Sequence, residues 1–192
     1  MIEVLKHFGV KRYSMIGAMY DMVPHTRKLL VSGGTVDAKN EEEYKLVGVR
    51  PSDYEGPTTI TYLISNTLEE MDIETRIFVV HLPQYFQVEE DFTGTARLME
   101  ILCTLYGLPS RLADPERGRQ QYASLQNIVS DTSEVAGLLE RLEERYDREN
   151  AEGGASISPL SPMVEEFLQG LGSNIDLDLD LDLDFDDDPA DE

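Results

Sequence analysis

Few residues in this sequence are of types that do chemistry, and they are widely spaced. His25 and Arg27 stand in Pro24-His25-Thr26-Arg27. An imidazole and a guanidinium two residues apart can hold an anion or a carboxylate. Their loop follows an expected strand, which is where α/β folds place ligands. The plainer alternative is a loop histidine bonding backbone groups. His81 closes the apolar run Ile77-Phe78-Val79-Val80, and Tyr85 follows close behind. A strand-end histidine suits acid–base work. No serine or cysteine nucleophile motif accompanies it, so the alternative is a histidine and a tyrosine tying down a loop. Glu55-Gly56-Pro57 opens an expected helix. Free N–H groups at such an end can take an anion, but Glu55 would repel one, which favours a turn with acidic capping. No residue is assigned a catalytic role.

Other chemistries find less support. Gly33-Gly34 belongs to no phosphate-binding glycine pattern and reads as a turn. Three histidines and the single Cys103 show no paired ligand spacing, so neither metal nor cofactor is expected. The net charge is −22, and residues 174–192 carry −10 of it through nine Asp and one Glu. Such a field repels phosphate, which argues against nucleic acid and membranes as partners. One cysteine cannot form an internal disulfide, no apolar run reaches the roughly 18 residues of a membrane span, and no secretory signal is visible. A cytoplasmic protein is expected.

The acidic end has a pattern of its own. Asp and Leu alternate from 176 to 184, and a period of two is that of a strand. Leu177, Leu179, Leu181 and Leu183, with Phe185, can therefore face a hydrophobic groove while the Asp row meets a basic rim, as in recognition by strand addition. The alternative is a disordered tail of mutually repelling carboxylates.

The elements that would position these residues follow from periodicity. A helix is expected over 2–8, with Gly9 at its end. A strand buried on both faces follows over 12–19, then a short strand near 29–31. A charged turn is expected over 40–44 and a short strand over 46–49. Pro57 suits the first position of a helix running to about 71. Residues 75–82 are the best strand, apolar enough for a parallel strand covered on both faces. A helix spans 93–106, stopped by Gly107. Asp114 and Pro115 cap a helix to about 129, and a last long helix with Val135, Leu138, Leu139, Leu142 and Tyr146 on one stripe completes a hairpin over 114–147. Two doubly covered strands do not make a stable sheet. Further strands are therefore expected before Ile2, or from another chain.

Three segments carry a family resemblance: Phe8-Gly9-Val10-Lys11-Arg12 through Ile16-Gly17-Ala18 to Val23-Pro24-His25-Thr26-Arg27; Tyr54-Glu55-Gly56-Pro57-Thr58, with Val79-Val80-His81-Leu82-Pro83-Gln84-Tyr85 after its helix; and Leu139-Glu140-Arg141-Leu142-Glu143-Glu144-Arg145-Tyr146-Asp147. In order and spacing they resemble the proteasome assembly chaperone 2 family. The family's proline-histidine-tyrosine strand end is altered here, since His81 precedes Leu82-Pro83 and Tyr85 follows Gln84. The resemblance implies an α/β fold laid out like nucleoside phosphorylases, self-association, and binding of proteasome subunits or another oligomeric client. It also implies that this sequence is an N-terminally truncated member.

The expected architecture is thus a partial three-layer α/β sandwich with a mostly parallel sheet over 1–148, including the hairpin. A linker over 149–162, a short helix over 163–172 and a low-complexity acidic tail over 173–192 complete the chain. The expected function is a protein-binding assembly factor without a cofactor, a homo-oligomer acting through Pro24–Arg27, Glu55–Pro57, His81, Tyr85 or the tail. The alternatives are an enzyme or small-molecule binder on a phosphorylase-like scaffold, and a gene fragment without independent function.

Overall fold

A computed structural model describes residues 1–34, 40–52, 60–85, 87–130 and 133–151. Glu55, Gly56 and Pro57 lie outside the described residues, as do the 163–172 helix and the tail with Leu177, Leu179, Leu181, Leu183 and Phe185. In chain order the elements are α1 (Ile2–His7), β1 (Arg12–Asp21), β2 (Val31–Gly33), α2 (Asn40–Val47), β3 (Val49–Pro51), α3 (Ile60–Glu69), β4 (Glu74–Pro83), α4 (Phe92–Tyr106), a 3₁₀ turn (Ser110–Ala113), α5 (Pro115–Ser130) and α6 (Ser133–Ala151).

The four strands form one mixed sheet in the order β1-β4-β2-β3. β1 and β4 run parallel over ten residues each, from Arg12 opposite Glu74 to Asp21 opposite Pro83. β2 and β3 are also parallel. β2 joins β4 antiparallel, with Val31 opposite Val80 and Ser32 opposite Val79. The mixed α/β class and the mostly parallel pairing agree with the expectation. The core gathers Val31, Phe78 and Val80 of the sheet with Ile101 of α4, Leu125 of α5 and Leu138 and Leu142 of α6. Buried aliphatic and aromatic area of this kind is the main favourable term in folding.

Local chemistry explains the helix ends. Asp91 caps α4 by accepting the Gly94 N–H at 2.6 Å. Gly107 closes that helix at φ 63, a left-handed conformation that costs a residue without Cβ little. Pro115 begins α5 as expected, after Asp114.

Four expectations change. β1 was expected to be covered on both faces; among the described residues β4 is its one sheet neighbour, and its faces are partly open. Its Ile16, Met19 and Tyr20 are 48%, 46% and 44% exposed. Apolar content shows that a strand can be covered, and sheet position decides whether it is. Residues 40–47 form two turns of helix where a turn and a strand were expected, because Tyr44 and Val47 need one buried side. Gly33, expected in a turn, sits in β2 against the neighbouring backbone. α6 continues to Ala151, past the expected linker boundary, held by Arg145 Nε to Glu149 Oε1 at 2.7 Å and by Arg50 Nη2 to Asn150 Oδ1 at 2.6 Å.

The packing at Gly33 yields a test. An added Cβ would stand 2.2 Å from the Ile77 carbonyl oxygen, a backbone atom that cannot swing aside, whereas at Gly34 it would meet nothing within 4 Å. Gly33→Ala should destabilise the fold by about 1–3 kcal/mol or more, and Gly34→Ala by less than about 0.5 kcal/mol. Chemical denaturation of the two variants side by side checks the difference.

Candidate functional site

The sheet topology brings three polar side chains to one place. β1 and β4 are parallel and in register, so their carboxyl ends coincide at Asp21 and Pro83. β2 runs the other way and begins at that same end. Strand alternation puts Asp21, His81 and Ser32 on a common face, since Ser32 pairs with Val79, Asp21 pairs with Pro83, and His81 lies between those two partners. His81 Nδ1 is 2.6 Å from Asp21 Oδ2, and His81 Nε2 is 2.8 Å from Ser32 Oγ. The backbone fixes the ring's position, with the His81 N–H donating to Leu30 O at 2.9 Å and the Gln84 N–H to Asp21 O at 3.0 Å.

Electrostatics assign the protons in this chain. Burial works to raise the Asp21 pKa, but the bonds from His81 and from the Met22 N–H, the latter at 2.6 Å, outweigh it and hold the carboxyl below its usual range. An ionised Asp21 can only accept, so His81 Nδ1 carries a proton, and in the neutral ring Nε2 accepts from the Ser32 hydroxyl. His81 is 4% exposed, while Ser32 is only half-buried. The arrangement is a carboxylate, an imidazole and a hydroxyl in hydrogen-bonded sequence. His81 was named from the sequence, whereas Asp21 and Ser32 were not. They lie 60 and 49 residues from it, and no local motif links them.

Tyr85, expected beside His81, serves the other histidine. His25 is 6% exposed. Its N–H donates to Tyr85 Oη at 2.7 Å, and its Nδ1 lies 2.6 Å from the same oxygen. The phenol therefore accepts from the backbone and donates its own proton to Nδ1. Nε2 then keeps a proton for Gln126 Oε1, 3.1 Å away on α5. This network suits a neutral ring, and burial lowers the His25 pKa accordingly. Burial likewise pushes the Tyr85 hydroxyl well above the ordinary tyrosine range, which keeps it a donor.

The rest of the Pro24–Arg27 loop is turned onto α6. Pro24 is buried among the largest enclosed side chains. Thr26 Oγ1 donates to Glu143 Oε1. Arg27 grips Asp147 with two bonds, Nε to Oδ1 at 3.0 Å and Nη2 to Oδ2 at 2.9 Å, and its Nη1 lies 3.5 Å from Glu143. The bond from Asp147 raises the Arg27 pKa, and the same bond lowers that of Asp147. Tyr146 Oη adds a bond to Lys28 O at 2.6 Å. The loop and the segment 139–147, read separately in the sequence, are thus one tethered unit.

A cleft of about 380 Å³ opens beside α4, lined by Lys28, Val47, Arg97 and Cys103 among others. Its cations are engaged: Arg97 Nη2 donates to Val47 O at 2.8 Å and Nη1 to Glu100 at 3.4 Å, and Lys28 pairs with Glu100 at 3.7 Å. Among the described residues no group of three or more His, Cys, Asp or Glu could hold a metal ion, and no helix is long and apolar enough to cross a membrane.

The model of the PAC2 family matches residues 1–129. No curated protein matches the sequence. Among solved structures, the chain is similar to a Mycobacterium tuberculosis protein of unknown function, with 21% identity over 88% of this chain and 56% of that one and a TM-score of 0.66. A Mycobacterium tuberculosis proteasome-assembly chaperone homologue is 22% identical over 72% of this chain and 58% of that one, with a TM-score of 0.61. A PAC2 family protein from Streptomyces avermitilis is 24% identical over 71% of this chain and 57% of that one, with a TM-score of 0.59. These likenesses establish the shared fold, and the chain spans under two thirds of the length of each.

Two measurements check the His25 network. Tyr85→Phe removes the hydroxyl that serves two buried nitrogen atoms and should cost about 1–3 kcal/mol. Because burial holds the folded pKa of His25 below the ordinary histidine value of 6.5, the unfolded chain takes up a proton first on acidification. The stabilisation from a neutral His25 is complete above 6.5 and is lost as pH falls from there toward the folded value. Melting curves between pH 7 and pH 5 should slope downward for the wild type and flatten in His25→Gln.

Proposed function

Because the chain belongs to the PAC2 family, we propose that it is a protein-binding assembly factor of the proteasome assembly chaperone kind, acting through non-catalytic contacts. The observation that carries this reading is the family match over residues 1–129, two thirds of the chain. The fold it shares with a proteasome-assembly chaperone homologue adds support.

The partners follow from surface chemistry. A net charge of −22 disfavours nucleic acid and fits a client with a basic face. The β1 edge, unpaired among the described residues and carrying the exposed Ile16, Met19 and Tyr20, supports self-association, since an exposed apolar edge strand is a template for pairing. The client is a proteasome subunit or another oligomeric protein. Of the Pro24–Arg27 loop, Thr26 and Arg27, which are half-buried where they meet α6, belong to the contact surface, as do Glu55–Pro57 and the Asp-Leu tail, whose Leu177, Leu179, Leu181, Leu183 and Phe185 would enter an apolar groove.

Two experiments test this. Affinity purification of the tagged chain from its own cells, beside a version ending at Gly172, should recover proteasome subunits with the intact tail and fewer without it. Recovery of no stable partner with either version would count against the assembly role. In sedimentation velocity the chain should run as an oligomer, and Ile16→Lys on the β1 edge should shift it toward monomer.

A further inference from the structure

We propose that Ser32, His81 and Asp21 form a second, chemical site in this chain, one that hydrolyses carboxylic esters with short apolar acyl groups. Four observations carry it.

The first is polarity. A histidine that merely ties strands together can take its partners in any order, whereas a nucleophilic hydroxyl needs an acceptor nitrogen beside it and an anion behind the ring. Here the ionised Asp21 lies 2.6 Å from Nδ1, and Ser32 Oγ lies 2.8 Å from Nε2. The second is position. All three residues stand at the carboxyl ends of the parallel strands β1 and β4, where the neighbouring β2 runs the other way. Open α/β sheets bind ligands outside such strand ends.

The third is access. His81 is buried, while Ser32, the group that must meet substrate, is half-buried. The fourth is room. Ser32, Val79 and Gly17 lie in a row across one face of the sheet, with Met19 in the next row beside His81. A Cβ on Gly17 would meet Val79 Cγ2 at 3.9 Å and nothing nearer, and one on Gly34 would meet nothing within 4 Å. The hydroxyl therefore borders a low apolar floor that suits a short acyl chain.

The chemistry balances with water as the only co-reactant. Ser32 Oγ attacks the ester carbonyl carbon while its proton passes to His81 Nε2, and Asp21 stabilises the resulting imidazolium through Nδ1–H. The tetrahedral adduct collapses and the bond from carbon to the alcohol oxygen breaks. The alcohol leaves with the proton from Nε2, and Ser32 is left acylated. A water molecule then gives its proton to Nε2 and attacks the acyl carbon. The carboxylic acid departs, and Ser32 regains its proton. Ser32 and His81 are catalytic residues in this scheme, and Asp21 is a positioning residue.

The test uses the full chain with a fluorophosphonate and with p-nitrophenyl acetate and butyrate. One phosphonyl adduct is expected by intact mass, mapped to the peptide holding Ser32, with fluoride released. Saturable ester turnover is expected as well. Ser32→Ala should lose the adduct and lower turnover by about 10²-fold or more while its circular dichroism and melting temperature stay near wild type. Asp21→Asn should slow labelling at an unchanged melting temperature and Asp21→Glu should restore part of the rate, which a purely structural aspartate would not do. A folded wild-type protein with no adduct at Ser32, or ester turnover unchanged in Ser32→Ala, overturns the proposal. Either outcome leaves the assembly role standing, since that role is read from partner recovery and needs no nucleophile.

Discussion

β4 can satisfy its backbone only by pairing along both edges, and the two edges pair in opposite senses. Each buried N–H and C=O in a sheet centre must find a partner, and β4 finds them in parallel β1 on one side and antiparallel β2 on the other. Everything of functional interest depends on this. The parallel pair aligns two carboxyl ends, and the reversed strand delivers its first residues to the same end. A uniformly parallel sheet would have carried Ser32 away from His81. The side chains of β4 repeat the division. Phe78 and Val80 face the core, while Val79 and His81 occupy the opposite face.

The second organising link is the loop after β1. It leaves the sheet beside the Asp21–His81 pair, buries His25 against Tyr85, and then reaches α6 through Thr26 and Arg27. Tyr85 in turn follows the end of β4. The two histidine clusters are therefore joined by the backbone of the strand ends, Asp21 to His25 on one side and His81 to Tyr85 on the other. The acidic residues of α6 that meet this loop, Glu143 and Asp147, are part of the chain's excess negative charge, locally offset by Arg27.

How much of this was legible in the sequence depended on the range of the cause. Caps and glycine stops act within one turn, and they located α4 and α5 to within a residue or two. The apolar run in β4 announced a strand covered by other elements. The same logic failed for β1, because its apolar residues carry no information about which edge of the sheet remains open. α2 was misread because its apolar residues, Tyr44, Leu46 and Val47, run into Val49 of β3 and fit a short strand as well as a helix, and only packing under α4 and against Phe78 decides between them. His81 stood out through its strand-end position. Asp21 and Ser32 could not, since their relation to it exists only once a parallel and an antiparallel pairing are both in place. The loop motif and the α6 motif were each readable, but their mutual attraction was not, with Thr26 and Glu143 117 residues apart.

α6 is fastened in two different ways along its length. Its first half is seated by Leu138 and Leu142 in the core, and its second half is tied by Arg27 to Glu143 and Asp147, with Arg50 meeting Asn150 beyond. Apolar burial is indifferent to simple electrolyte, whereas exposed ion pairs are screened over a Debye length of about 8 Å at physiological ionic strength. The helix is therefore salt-graded. Rising ionic strength weakens the Arg27 ties to Glu143 and Asp147 while leaving the seat of Leu138 and Leu142 in place.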